Sequence, residues 1–201
     1  MLLLPGINGL NIVYGISPEF AMSYIDESVH PELHLFVEDK EANTLLRDII
    51  ASHNEGSVLL PRLSFSNVGP ANVVKVMGEL GSNHKLPYKS IGVLDGEMEE
   101  SPGCIILPGK DAPERVIFNQ LRIANWENLP ERFGIGAGQL FTIFEDAMFH
   151  PDHHEWTSII GNRTRMSSNR VWEIMAKEWC TICLSDADRD RIIQQIKDRL
   201  S

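Results

Sequence analysis

Short apolar runs alternate along this chain with segments whose apolar positions recur every three to four residues, and that alternation predicts strands followed by helices. Leu33-His34-Leu35-Phe36-Val37 is an apolar run that stops at Glu38-Asp39, the signature of a buried strand with an acidic carboxyl end. Ala42, Leu45, Leu46, Ile49 and Ile50 then follow the spacing of one face of an amphipathic helix. The grammar repeats. Leu59 to Phe65 reads as a strand, Gly69-Pro70 as a turn and helix start, and Val73, Val74, Met77 and Leu80 as a helix face closed by Gly81. Ile91 to Leu94 predicts a third strand ending in Asp95-Gly96-Glu97, and Cys104 to Leu107 a fourth ending in Pro108-Gly109. Asp111-Ala112-Pro113-Glu114 opens the next helix, with Asp111 as its expected N-cap and Val116, Ile117 and Leu121 facing inward. The pattern predicts an α/β fold: a sheet of about four mainly parallel strands with helices on its faces.

Beyond about residue 125 the strand signals stop. Segments 139–148, 154–160, 169–179 and 187–200 all read as helical, so a C-terminal α-helical lobe over 126–201 is expected beside an α/β core over 31–125. Residues 1–30 read as a lead-in, Gly-rich at first and with helical spacing over 18–25. The opening apolar run meets Pro5-Gly6 far short of the roughly 20 residues that span a bilayer, so a cytoplasmic protein with no membrane partner is expected. Three cysteines without framework spacing fit a reducing compartment.

Charge narrows the functional classes. Among 201 residues, 18 Lys and Arg face 28 Asp and Glu, a formal net charge of −10. From residue 161 onward 8 basic side chains outnumber 6 acidic ones, so the negative charge belongs to the earlier part. Such a chain does not coat nucleic acid through its overall field, and any contact with phosphate must rest on a local patch, on metal ions or on a partner.

All strands of a parallel sheet point one way, so their carboxyl ends gather along one edge, where such sheets place their sites. Glu38, Asp39, Asp95 and Glu97 converge there on this reading. Crowded carboxylates repel one another and lose solvation, and a divalent cation offsets both costs. An oxygen-only set favours Mg²⁺ or Mn²⁺ over Zn²⁺. The plainer reading of an acidic residue after a strand is a solvated turn or cap group.

Three segments carry a family resemblance: Phe36-Val37-Glu38-Asp39-Lys40-Glu41-Ala42, Gly92-Val93-Leu94-Asp95-Gly96-Glu97, and Leu107-Pro108-Gly109-Lys110-Asp111-Ala112-Pro113-Glu114. In this order they resemble the Toprim domain of OLD-family (overcoming-lysogenization-defect) nucleases, a catalytic fold shared with topoisomerases and primases. The resemblance covers roughly residues 30–125. It implies that Glu38 is the glutamate after the first strand and that Asp95 with Glu97 takes the place of the family's Asp-x-Asp pair, here Asp-x-Glu. It further implies hydrolysis of DNA phosphodiesters with Mg²⁺ or Mn²⁺, two ions in all, and a role in anti-phage defence. The expected catalytic set is Glu38, Asp95, Glu97 and Lys177, and the expected metal set is Glu38, Asp39, Asp95, Glu97 and Glu114.

Glu114 also has capping-box spacing from Asp111, the reading that competes with a metal role. Lys110, Arg163, Arg165 and Arg170 are the candidate contacts to nucleic acid, against the plainer reading of solvated loop and helix residues. Asp152-His153-His154-Glu155-Trp156 reads mainly as a capped helix start with exposed histidines, and Cys180-Thr181-Ile182-Cys183 as a buried helix face; zinc is the lesser reading of each. OLD-family proteins usually join an ABC-type ATPase to the Toprim domain, and no G-x-x-x-x-G-K-[ST] phosphate loop occurs in this sequence. An ABC- or AAA-type ATPase partner is therefore expected, with homo-oligomerisation left open. Two alternatives stand beside the nuclease: a receiver-like signalling module with Asp95 as phosphoacceptor and Lys110 as its lysine, and a catalytically inactive Toprim scaffold.

Overall fold

The computed structural model describes residues 2–6, 9–13, 22 and 30–201. β1 (Leu2–Gly6) and β2 (Gly9–Val13) pair antiparallel, Leu2 opposite Val13. The helix expected over 18–25 lies outside the described residues, Met22 excepted. The main sheet contains β3 (Leu33–Val37), β4 (Leu63–Asn67), β5 (Ser90–Leu94) and β6 (Cys104–Ile106), in the order β4-β3-β5-β6 with every pairing parallel. Helices α1 (Lys40–Ala51) and α3 (Ala71–Ser82) follow β3 and β4, and α4 (Pro113–Ile123) follows β6. Between α1 and β4 lies the single turn α2 (Gly56–Leu59).

β5 is buried over its whole length, whereas β4 at the sheet edge buries only Leu63 fully. The expected strand start at Leu59 is corrected: a 3₁₀ turn occupies Leu60–Arg62 before β4 begins. Pro61 has no N–H to give a ladder, so pairing starts beyond it. The apolar face expected for α3 also shifts. Its buried positions are Val74, Gly78 and Gly81, because the helix lies against the sheet through glycines. A Cβ on Gly81 would stand 2.8 Å from the Ser90 carbonyl oxygen, and one on Gly92 2.8 Å from the Val74 carbonyl oxygen. Gly81 therefore sits inside the helix as a packing residue and does not terminate it.

The C-terminal part is helical: α5 (Leu129–Phe133), α6 (Ala137–Met148), a 3₁₀ turn at His153–Glu155, α7 (Trp156–Thr164), α8 (Ser168–Ile182) and α9 (Asp186–Leu200). It shares one hydrophobic core with the sheet, running from Leu33 through Phe118, Trp126, Phe144, Trp156 and Trp179 to Ile196. α8 packs on α1, α4 and α7 and is fixed by polar tips on buried aromatic rings. Trp172 Nε1 donates to the Glu41 carbonyl at 2.9 Å, and Trp179 Nε1 donates to Gln120 Oε1 at 2.7 Å. Fully buried Glu178 pairs with Arg132 and accepts from Asn128 Nδ2 at 2.9 Å, pinning the turn before α5. No helix among the described residues is long and apolar enough to cross a membrane.

The glycine contacts make a direct prediction. Gly92→Ala forces α3 off β5 and is expected to cost about 1–3 kcal/mol in urea unfolding. Gly138→Ala, on α6 with open space around it, is expected to stabilise by up to about 1 kcal/mol.

Candidate metal centre at the carboxyl edge of the sheet

From β3 the chain passes to β4 on one side and then back to β5 on the other, so the crevice between the ends of β3 and β5 is the topological switch point where open α/β sheets bind ligands. Phe36 stands opposite Gly92, and the two strands leave the sheet side by side, one into Glu38-Asp39 and the other into Asp95. Neighbouring loops are tied to these ends. Val68 N–H donates to the Val37 carbonyl at 2.9 Å, Gly69 N–H to the Glu38 carbonyl at 3.1 Å, and Leu107 N–H to the Leu94 carbonyl at 2.8 Å. The loops after β5 and β6 touch at Gly96, where a Cβ would meet the Gly109 carbonyl at 2.9 Å. Gly109 itself has φ of +111°, so glycine is required on both counts.

The resulting pocket of about 150 Å³ is lined by the carboxylates of Glu38, Asp39, Glu41, Asp95, Glu97 and Glu114, together with His153 and His154. Asp95 Oδ1 is buried and has no hydrogen-bond partner. Burial, reinforced by the charges of Asp39, Glu38, Glu114 and Glu97, pushes the Asp95 carboxyl up to about 7. Burial and then Asp39 and Glu97 raise Glu38, opposed by His154 and by the Ala71 N–H at the start of α3. Burial followed by Asp39 raises Glu41 as well.

Not every carboxylate is equally available. Asp39 is the N-cap of α1, its Oδ1 accepting from the Ala42 N–H at 2.8 Å, so one oxygen is committed. Glu114 is buried at 7% exposure, with Oε1 lying 3.1 Å from His154 Nδ1. The expected capping box is corrected here. Ala112 is the N-cap of α4, Pro113 opens the helix, and Asp111 Oδ1 accepts from the adjacent Ala112 N–H at 2.8 Å. Proline has no N–H to satisfy, which removes part of the need for a side-chain cap. Asp152 does cap its 3₁₀ turn, accepting from the His154 N–H at 3.0 Å.

None of the basic candidates lines this pocket. Lys110 is exposed on the loop before α4. Lys177 and Arg170 line a separate pocket of about 420 Å³ with Thr44, Asp48, Arg132, Glu173 and Ile174, which shares no lining residue with the acidic one. Arg163 pairs with Asp146, and Arg170 with Glu173 at 3.0 Å. Arg165, with φ of 60°, ends α7 and is exposed. Burial raises the thiols of Cys180 and Cys183; Cys180 is buried on α8 as expected, whereas Cys183 caps the end of the helix and is half-buried. Glu41 joins the site with no signal in the sequence, and His153 and His154, for which a metal is only the lesser reading of the sequence, join it too. The histidines were visible as a cluster, but their partner Glu114 lies forty residues earlier in the chain.

No protein-family model matches the chain, and neither the curated proteins nor the solved structures yield a match.

Because the folded protein holds the Asp95 proton to about pH 7 while an unfolded aspartate releases it near its ordinary value of 3.8, the folded state binds more protons between these limits. Stability of the metal-free protein is expected to fall as pH rises through that window. Asp48, raised to about 6 by burial, adds to the fall in its lower part. Urea midpoints measured in chelator should drop between pH 5 and pH 8, and Asp95→Asn should flatten the drop and exceed wild type at pH 8.

Proposed function

We propose that the chain is a metal-dependent phosphodiesterase that cleaves DNA, a Toprim-type nuclease. The observation that carries this reading is the buried, unpartnered Asp95 Oδ1 inside a ring of carboxylates. A carboxylate oxygen facing like charge with no proton donor fits a hard divalent cation, and Glu38 and Glu97 supply the oxygen donors beside it. Bound Mg²⁺ or Mn²⁺ would polarise the phosphoryl group, lower the pKa of an attacking water and stabilise the leaving oxygen.

The side chains hold and orient. Asp95 and Glu38 leave adjacent strands, so the sheet itself fixes their separation. Asp39 has one oxygen tied to the start of α1, which orients the other. Glu97 sits two residues beyond Asp95 on a turn closed by the Met98 N–H donating to the Asp95 carbonyl at 3.0 Å. None of these groups needs to act as a nucleophile. The net charge of −10 opposes a polyanion, and among the named candidates Arg163 and Arg170 are engaged in ion pairs, so capture of DNA falls to the bound ions, Lys110, Arg165 and a partner. An ABC- or AAA-type ATPase chain is the partner this reading supports.

The purified protein, alone and with a candidate ATPase, is expected to cut nicked, linear or supercoiled DNA only with Mg²⁺ or Mn²⁺. Glu38→Gln and Asp95→Asn should each lower cleavage by at least about 100-fold, the scale of losing one charge-stabilising group. Glu97→Asp should retain activity, as should Lys177→Ala, which alters the other pocket. Unchanged cleavage by Asp95→Asn overturns the nuclease assignment. The same acidic crevice after the first and third parallel strands also suits a phosphoacceptor module. Uptake of phosphate on Asp95 from acetyl phosphate, without cleavage, would favour that reading.

A further inference from the structure

The pocket is not an oxygen-only site. Its lining includes two imidazoles, and we infer that Glu114, His153 and His154 form a second cation subsite selective for a borderline first-row ion of the Zn²⁺ class over Mg²⁺. One ligand atom from each of the three lies within 4.8 Å of the others. The 3.1 Å between Glu114 Oε1 and His154 Nδ1 is close to the spacing of two ligands bound at about 2.1 Å to one ion, roughly 3.0–3.4 Å from octahedral to tetrahedral angles.

The donors are held from different parts of the fold. Glu114 lies in the first turn of α4 and is 7% exposed, with little room to move. His153 and His154 sit on the 3₁₀ turn capped by Asp152, their ring centroids 4.0 Å apart. That turn is anchored by Trp156, whose Nε1 donates to the His150 carbonyl at 2.9 Å and whose ring packs 5.3 Å from Phe118. Two imidazoles and a carboxylate with a fourth position open is a donor set that suits Zn²⁺, whereas Mg²⁺ prefers oxygen and keeps its waters. The other carboxylates of the same pocket, Asp95 and Glu38 among them, offer oxygen alone. The two subsites are therefore chemically unequal, and the pocket as a whole fits a mixed pair of ions. This inference rests on reading the pocket as a metal centre.

Co²⁺ serves as the probe, because in a four-coordinate nitrogen–oxygen site it absorbs visible light far more strongly than in an octahedral oxygen site. Metal-free protein titrated with Co²⁺ in excess Mg²⁺ is expected to develop that absorption to one equivalent and to lose it when Zn²⁺ is added. The His153→Ala/His154→Ala double variant should lose the band. His154→Ala alone should weaken Zn²⁺ binding by at least about tenfold, since even outer-shell partners of a ligating histidine are worth about 10–100-fold. His154 is 68% exposed at its side chain and His153 only half-buried, so both variants should keep the wild-type circular dichroism spectrum. Asp95→Asn should keep the band while losing cleavage. A band that never forms, or one unchanged in the double variant, overturns the subsite. A band that behaves as expected in a protein without nuclease activity leaves the subsite standing and removes only the nuclease reading.

Discussion

Repulsion among carboxylates is the constraint on which the site depends. Six of them line a pocket of about 150 Å³, and one buried oxygen on Asp95 has no donor to offset its charge. Burial first and that field second push the Asp95 carboxyl up to about 7, and the proton it keeps is one way of relieving both. The rest of the molecule acts to prevent the other way, which is for the strand ends to move apart. Parallel pairing of β3 with β5, the loops tied to both ends, and the glycine contact between the β5 and β6 loops hold the acids together. A sheet buried on its central strands supplies the packing energy against which the repulsion is borne.

The helical part belongs to the same machine. α8 fastens the start of α1 through Trp172 to the Glu41 carbonyl and through Lys40 Nζ to Asn169 Oδ1, both at 2.9 Å. Asp39 and Glu41 flank that point, so the position of two pocket carboxylates is set partly by a helix far along the chain. The 3₁₀ turn before α7 then closes the pocket with imidazoles. With one core spanning both parts, disruption of α8 is expected to reach the acidic edge.

Much of this was legible in the sequence because local rules and the tertiary fold agree. The apolar runs ending at Glu38 and Asp95 and the amphipathic spacing of α1 and α4 found their elements, and the parallel topology followed from the alternation. What escaped was non-local. Gly78 and Gly81 face the sheet because the helix approaches closely, which hydropathy cannot register. Leu59 and Leu63 read as one strand, but Pro61 divides them into a turn and a shorter strand. Glu114 has the spacing of a cap, yet its carboxylate meets a histidine forty residues away, a pairing that only the packing of α4 against the 3₁₀ turn creates. Lys177, expected in the catalytic set beside the acids, lines another pocket.

A divalent cation held in the crevice between β3 and β5, as proposed, can be located crystallographically. Crystals grown with Mn²⁺ and measured at an energy where manganese scatters anomalously test it most directly. An anomalous peak is expected about 2.1–2.2 Å from a carboxylate oxygen of Asp95, with Glu38 or Glu97 in the same coordination sphere. Manganese found only at surface carboxylates, with Asp95 bonded to water or to a protein donor instead, would contradict it.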